Sequence, residues 1–382
     1  MSRPLRVGQV SHYMPPHIGG LQRVGAALEV AVLAAGHEHR WVASASPAGA
    51  TGGAGRVRVP CWDGLNTRLG LPLPIWGRDG REALRALSDW ADVLIVHGCL
   101  YPTSAAAVAA ARRRELPVLL VQHTGPARYQ RLGLDAVQEV GFRSLGRAVL
   151  LASRRVIAAT PAAAALMDRL GVPARTILNG VDAERFRPPT AAERAEARAR
   201  LGVRGRVALF VGRLIDKKGA GAVLALASRL PAITFLAVGE GPMAARFRAG
   251  PGNLIWREKL PWSAMPGVYH AADLLALPAR GEGFPLVVQE AMACGLPALL
   301  LREEAFARPL VSAGAALGVS PGVDAWARAV VEPSEAALRR VGQRGREEAL
   351  RFRPEANARA YLEELASLTA STSAAMAAPR SG

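Results

Sequence analysis

Lysine, cysteine and long apolar runs are scarce in this chain of 382 residues. The three cysteines, Cys61, Cys99 and Cys294, include no Cys-x-x-Cys pair, and an odd number suits a disulfide framework poorly, so we expect a reduced compartment. No stretch reaches the roughly 18 to 20 uninterrupted apolar residues of a spanning helix, and the first residues lack the apolar core of a signal peptide. The sequence therefore predicts a cytoplasmic protein, with peripheral contact on the inner face of the membrane as an alternative.

The positive charge of the chain is carried almost entirely by arginine. Only three of the 48 basic residues are lysine, and with 31 acidic residues the net charge is +17. Such an excess is compatible with a solvated basic surface, with anionic lipid, and with anionic acceptors or nucleic acid. The arginines are scattered and accompany no RNA- or DNA-binding motif, so we expect no nucleic-acid partner.

Short apolar runs alternate with helical patterns in two series, separated by the proline-containing, charged residues 188–200. Apolar strands that are each followed by a helix are typical of a parallel sheet covered on both faces. The sequence therefore predicts an α/β fold with two Rossmann-like doubly wound domains facing a central cleft. The expected segments are a first domain at 1–186, a second at 187–352, a helix at 353–368 and a disordered tail at 369–382. The predicted strands are 5–10, 41–44, 56–61, 93–97, 118–123 and 156–160, then 207–211, 233–238, 254–256, 274–277 and 298–301.

Two loops after predicted strands combine glycine with features that suit phosphate. Gly19 and Gly20 precede a helix whose first N–H groups and partial positive charge can face an anion, although a plain tight turn explains them equally well. In the loop 212–219, Arg213 and Lys218 can clamp a diphosphate with one planar fork and one point charge. The alternative for that pair is two solvated cations.

Two later loops add glycines and carboxylates. The turn 238–242 contains Gly239 and Gly241, which allow a nucleobase or ribose to lie against the backbone. The segment 280–297 contains Glu282 and Glu290, and two carboxylates can accept hydrogen bonds from the hydroxyls of a sugar or ribose. We expect Pro285 at the first helical position. Backbone N–H groups for a ligand can come from Gly283, Phe284, Leu286 and Val287.

Taken in order, these motifs resemble the retaining glycosyltransferases of family 4, also called glycosyl transferases group 1, with the two-domain GT-B fold. The resemblance covers about residues 5–300 and the C-terminal helices. It rests on the Gly19-Gly20 loop, on 177–182 with Phe186, on the Gly-Arg-Leu loop at 212–219, on 238–242, and on the Glu-x7-Glu element that continues to Pro297. It implies that residues 1–186 form the acceptor-side domain, that 187–352 bind the nucleotide sugar, and that the helix at 353–368 packs back on the first domain.

The resemblance also implies roles for individual residues. Arg213 and Lys218 hold the donor diphosphate, Glu282 contacts the donor sugar and Glu290 holds the ribose hydroxyls. His123 matches a family histidine beside the donor sugar, while a histidine capped in the core remains the alternative. The implied catalytic residues are Glu282, His123, Arg213 and Lys218, and the implied donor-binding residues are Gly19, Gly20, Arg213, Lys218, Gly239, Gly283, Phe284, Pro285, Leu286 and Glu290.

The reaction expected from the resemblance transfers a sugar from a nucleotide diphosphate sugar with retained anomeric configuration. The acceptor is a glycan, a lipid-linked molecule or a small molecule. No residue stands out as a carboxylate nucleophile, and there is no Asp-x-Asp pair, so we expect neither a metal nor a cofactor. Two alternatives stay open: a nucleotide-sugar-binding protein with altered or lost catalysis, and a sugar-nucleotide epimerase.

One segment departs from the family pattern. After Pro297 the family continues with a glycine pair that touches the donor sugar, whereas residues 301–306 here read Leu-Arg-Glu-Glu-Ala-Phe. We expect Arg302 or Glu303 to replace that contact, or the activity to be altered.

Overall fold

The computed structural model describes residues 3–15, 20–45, 55–64, 73–126, 132–258 and 260–377. Among these, one compact unit contains the residues up to Pro126, those from 132 to Leu178 and those from Glu355 onward. The other unit runs from Asn179 to Pro354. The sequence had placed these boundaries at 186/187 and 352/353. The segment after Leu178 belongs to the second unit because Val181 and Phe186 pack into its core.

The first unit is built on a seven-stranded parallel sheet of order β3-β2-β1-β6-β7-β8-β9, beside a two-stranded antiparallel ribbon of β4 and β5. Its central strands are apolar and fully buried, as a sheet covered on both faces requires. The segment 132–151 comprises two α-helices joined by a π-helical turn, Phe142–Gly146. The strands are β1 (Arg6–Tyr13), β2 (Glu38–Ser44), β3 (Arg56–Val59), β4 (Cys61–Trp62), β5 (Ile75–Trp76), β6 (Val93–His97), β7 (Val118–Gln122), β8 (Arg155–Ala158) and β9 (Arg175–Thr176), and the helices are α1 (Gly20–Ala34), α2 (Arg78–Trp90), α3 (Pro102–Arg112), α4 (Leu132–Gly141), α5 (Arg147–Leu151) and α6 (Pro161–Leu170).

The second unit is built on a six-stranded parallel sheet of order β12-β11-β10-β13-β14-β15. The strand order reverses between β10 and β13, and ligands of open α/β sheets bind at such a reversal. The last strand and the helix after it were not predicted. The strands are β10 (Val207–Val211), β11 (Thr234–Val238), β12 (Leu254–Arg257), β13 (Leu274–Leu277), β14 (Ala298–Leu301) and β15 (Leu317–Val319), and the helices are α7 (Ala191–Leu201), α8 (Ala220–Arg229), α9 (Ala244–Arg248), α10 (Met265–Ala271), α11 (Leu286–Ala293), α12 (Ala307–Ser312), α13 (Val323–Val331) and α14 (Glu335–Ala349).

The chain ends in a long helix of the first unit, α15 (Pro354–Ala377). Tyr361, Leu365 and Leu368 are buried in the same apolar cluster as Val7 and Ile157. The helix continues past residue 368, where the sequence analysis had placed the start of a disordered tail, and residues 378–382 lie outside the described part. Helix α15 therefore supplies part of the core beneath the first sheet.

Helix α14 packs against the end of α11 through a glycine. A β-carbon at Gly342 would collide with the carbonyl oxygen of Gly295, so the two elements approach more closely there than any other residue allows. Gly267, in the short helix α10, has open space where a β-carbon would stand. The two helical glycines thus differ in surroundings but not in secondary structure.

We expect Gly342→Ala to destabilise the second unit by about 1 to 3 kcal/mol, the usual cost of overpacking. Gly267→Ala should be neutral or stabilising by about 0.5 to 1 kcal/mol, because alanine has the higher helix propensity. Urea unfolding followed by circular dichroism measures both changes. Equal stabilisation by the two alanines would show that α14 does not depend on close contact with Gly295.

Candidate functional site

Three loops of the second unit join at the edge where the strand order reverses. They follow β10, β11 and β13, which are neighbours in the sheet. The loop after β10 receives support from both sides: Gly212 N–H donates to Val238 (3.0 Å), Leu214 N–H donates to Glu240 (2.8 Å), and Arg280 N–H donates to the carbonyl of Lys217 (2.9 Å). The sequence-predicted motifs at 212–219, 238–242 and 280–285 therefore form one continuous surface.

The glycines of the turn after β11 are required by this packing. Gly239 and Gly241 have φ values of +150° and +157°, which side chains rarely adopt. A β-carbon at Gly239 would collide with the carbonyl oxygen of Gly212, and one at Gly241 would lie 2.7 Å from the backbone nitrogen of Leu214. The close approach of two loops explains both glycines, and the donor-binding role of Gly239 stays a prediction.

An ion pair links the loops after β10 and β13. The Nζ atom of Lys218 lies 2.7 Å from Oε2 of Glu282, although the two residues are far apart in sequence. Their side chains are 27% and 11% exposed, so the pair is only partly shielded from water. Lys218 ends a 3-10 turn, and Gly219 behind it, at φ +82°, packs against Pro278 at the end of β13. The structure thus brings together the predicted ammonium and the predicted sugar-binding carboxylate.

Positive charge accumulates around this pair. The side chain of Arg213 is exposed and forms no hydrogen bond or ion pair with the described residues, while its carbonyl accepts from the N–H of Ile215 (2.9 Å). Burial lowers the pKa of Lys217, and the attraction of Glu282 offsets that shift in part, while Lys218 repels the Lys217 ammonium. An exposed guanidinium beside two neighbouring lysines is a favourable environment for an added anion.

Helix α11 begins at the same place. Pro285 is its N-cap rather than its first helical residue, which corrects the predicted position, because its ψ of 130° is extended and the helical hydrogen bonds begin with its carbonyl. The first N–H groups of a helix have no partner within the helix, and its N-terminus carries partial positive charge. Gly283, Phe284 and Pro285 are buried and Leu286 is half-buried, and Phe284 packs against the rings of Phe306 and Phe352.

Glu290 lies within α11 and is buried, with 3% of its surface exposed. Its Oε2 accepts a hydrogen bond of 2.6 Å from the hydroxyl of Tyr269 in α10. A buried carboxylate is costly unless it is paired, and Tyr269 supplies the partner. Sequence reasoning missed Tyr269, because no motif spacing connects it to Glu290. The predicted contact of Glu290 with ribose hydroxyls is not tested by this geometry.

The departing segment 301–306 also reaches the site, through a residue that was not predicted. Arg302 donates to the carbonyl of Gly318 (2.8 Å), and Glu303 is exposed. Glu304 instead accepts hydrogen bonds from the backbone N–H groups of Gly281 (3.0 Å) and Glu282 (3.1 Å). The sequence signal for this contact was the pair Glu303-Glu304. The sequence analysis selected Glu303, whereas Glu304 makes the contact.

In the first unit, the strands β6 and β7 end in a buried histidine pair. Nδ1 of His97 lies 2.8 Å from Nε2 of His123, and Thr160 donates to the carbonyl of His123 (3.1 Å). Burial lowers the pKa of His123 to about 3, and burial together with the neighbouring His123, His12 and His39 holds the pKa of His97 well below its usual value. Both rings are therefore neutral near pH 7, so one ring donates and the other accepts.

The remaining predictions for the first unit are only partly accessible. Gly20 is the first residue of α1, and Gly19 lies outside the described residues. The donor-side roles of Gly20 and His123 stay predictions. Within the described ranges, no three His, Cys, Asp or Glu side chains are grouped so that they could hold a metal ion, and no helix has the length and apolarity needed to cross a membrane.

Comparison with known families settles the kind of protein. The family profile for glycosyl transferases group 1 matches residues 205–335, and that for Glycosyltransferase Family 4 matches residues 18–185. The chain belongs to glycosyltransferase family 4. The family assignment expected from the motifs is thereby confirmed.

Two curated relatives of this family-4 chain share a name. A D-inositol 3-phosphate glycosyltransferase of Segniliparus rotundus is 36% identical over 203 residues, covering 47% of this chain and 43% of the relative. A protein of the same name from Mycobacterium leprae is 36% identical over 132 residues, covering 31% of this chain and 30% of the relative. The matched segment spans less than half the length of each.

Solved structures share the fold over nearly the whole chain. Sucrose-phosphate synthase from Thermosynechococcus elongatus has a TM-score of 0.75 at 21% identity, covering 96% of this chain and 100% of that one. Anabaena HepE, solved with UDP-glucose, has a TM-score of 0.76 at 15% identity, covering 95% and 100%. At these identities the likeness shows the fold alone: the expected α/β class with parallel sheets of the GT-B type is confirmed.

The histidine pair predicts an acid-sensitive first unit. Below about pH 6.5 the unfolded chain binds protons that the buried rings of His97 and His123 exclude, so the free energy of unfolding must fall as pH drops. We expect the loss to approach about 1.4 kcal/mol per pH unit for each ring that stays neutral as the pH falls below 6. Urea unfolding at several pH values measures the slope, and His97→Gln should reduce it by one ring's share. An unchanged slope in that variant would contradict a neutral buried His97.

Proposed function

We propose that this family-4 protein is a retaining, metal-independent glycosyltransferase that takes a sugar from a nucleotide diphosphate donor. The observation that carries the proposal is the Lys218–Glu282 pair, which joins two loops at the reversal of the second sheet. Exposed Arg213 and the start of α11 lie on the loops of the same surface. A diphosphate and a sugar are together the ligand that such a combination of cations, helix N–H groups and carboxylate suits.

The cationic side of the surface is proposed to act on the leaving group. As the bond between the sugar and the diphosphate breaks, negative charge grows on the phosphate oxygens. Lys218 and the first N–H groups of α11 are held in place for that charge, and preorganised donors of this kind stabilise a transition state more than a ground state. The exposed guanidinium of Arg213 adds a further donor. These groups replace the positive charge that a metal ion would supply.

Retention of configuration is proposed to proceed by front-face substitution. The acceptor oxygen forms the new bond to the anomeric carbon, the bond to the diphosphate breaks on the same face, and the acceptor proton passes to the departing phosphate oxygen. Three carboxylates of the second unit near these loops are already engaged: Glu282 with Lys218, Glu290 with Tyr269, and Glu304 with backbone N–H groups. This engagement supports a mechanism in which none of the three forms a covalent intermediate.

The substrates are proposed from the relatives. HepE was solved with UDP-glucose, so UDP-glucose is the first donor to test. The curated relatives are named for D-inositol 3-phosphate, which makes a phosphorylated polyol the first acceptor to test. Glycan and lipid-linked acceptors, including one met at a membrane surface, remain within the same proposal.

Loss of the ammonium should weaken the hold on the diphosphate. We expect Lys218→Ala to weaken UDP binding about 10- to 100-fold, because a charge-assisted hydrogen bond is lost. Titration calorimetry with UDP measures the affinity, and UDP release from UDP-glucose measures turnover. Arg340→Ala, which removes an exposed arginine from α14, is the matched control and should bind like the parent protein.

A second candidate is a nucleotide-sugar-binding protein without transfer activity. The observation that favours it is the absence of a glycine pair in residues 301–306, where Glu304 instead holds the loop after β13. This candidate requires UDP binding with no UDP release across a panel of sugar donors and acceptors. Unchanged UDP affinity in Lys218→Ala would contradict both candidates.

A further inference from the structure

Three consecutive backbone N–H groups of the loop after β13 are all hydrogen-bonded inside the second unit. The N–H of Arg280 donates to the carbonyl of Lys217, and those of Gly281 and Glu282 donate to Oε1 and Oε2 of Glu304. Both oxygens of one carboxylate are thus used, at 3.0 and 3.1 Å. The backbone of residues 280–282 is therefore held through its own N–H groups, independently of where the side chains of these residues point.

The shape of this loop explains why a carboxylate fits there. Gly281 has a φ of +63°, in the left-handed region. A left-handed residue within a turn gathers successive N–H groups into a concavity that binds anions. Hydrogen bonds from N–H groups to a charged acceptor are stronger than those to a neutral one. Glu304 is in effect a built-in anion for this concavity.

The contact has a direct consequence for Glu282. The N–H that Glu304 holds belongs to the same residue whose side chain pairs with Lys218 at 2.7 Å. Glu304 also attracts the neighbouring Lys217. The backbone of Glu282 is therefore fixed from one side and its carboxylate from the other.

We propose that Glu304 is a positioning residue that holds the loop 280–283 as an internal anion and so fixes Glu282 for the donor sugar. This inference rests on the proposed function for its catalytic consequence, but its structural part does not. Glu304 acts through the backbone and touches no substrate. Misplacing a sugar-binding carboxylate by about 1 Å is enough to lower turnover about 100-fold without a comparable loss of binding.

The structural part is tested by amide hydrogen exchange. Glu304→Ala should speed exchange at the amides of Gly281 and Glu282, because they lose their acceptor, while the β-strands of both units keep their protection. Glu347→Ala, which removes an exposed glutamate from α14, is the matched control and should leave these amides unchanged. Unchanged exchange in a folded Glu304→Ala variant would overturn the inference.

The catalytic part is tested by separating turnover from binding. With UDP-glucose as donor, Glu304→Ala should lower kcat about 10- to 100-fold, whereas the Kd for UDP should change less than about 3-fold, because Arg213, Lys218 and α11 are intact. Glu304→Gln, which keeps one acceptor oxygen, should have a kcat between that of the parent protein and that of Glu304→Ala. Added formate should restore part of the lost kcat by filling the vacated concavity, and chloride at equal ionic strength should not.

The outcomes distinguish this inference from the proposed function. If the parent protein binds UDP but releases none from any donor, the proposed transfer activity fails. The role of Glu304 is then decided by the exchange result and by whether Glu304→Ala loses the extra affinity that the parent has for UDP-glucose over UDP. If the parent turns over and Glu304→Ala keeps full kcat, the inference fails while the proposed function stands. A loss of kcat that formate does not restore in a variant with normal exchange would also reject it.

Discussion

The second unit depends on one constraint: three loops after adjacent parallel strands must pack against one another where the strand order reverses. The Lys218–Glu282 ion pair joins two of these loops through their side chains. Gly239 allows two of them to approach through their backbones, since the carbonyl of Gly212 occupies the space of a side chain. Because the pair is partly exposed, its worth to stability is small. Its value lies in placing an ammonium and a carboxylate on one surface before any ligand arrives.

Much of the fold could be predicted from sequence because buried parallel strands are continuous apolar runs. The strands β6, β7, β10 and β11 were found within a residue or two for that reason. The π-helical turn at Phe142–Gly146 and the short edge strand β15 were missed, since neither has a distinctive pattern. The sequence analysis assigned residues 179–186 to the first domain, whereas the structure places them in the second unit. Only packing shows that Phe186 joins the second core.

The site was predictable to the extent that it is written in local motifs. Glycines, two cations and two glutamates at characteristic spacings identified the loops, but long-range partners have no spacing to reveal them. Tyr269, His97 and Glu304 were all missed for this reason, although each contacts a residue that was named. Polar groups that must be satisfied on burial are a clue that something pairs with them, yet the sequence does not say what.

The first unit is assembled from both ends of the chain, because α15 completes a core that begins with Val7. The second unit, by contrast, is one continuous stretch from Asn179 to Pro354. During synthesis on the ribosome the second unit has its described strands and helices available before α15 emerges, whereas the first unit lacks part of its core until then. The unit whose strands are synthesised first therefore completes its core last. The apolar face that α15 covers stays exposed until that helix emerges, and it is the face that nascent-chain chaperones would need to shield.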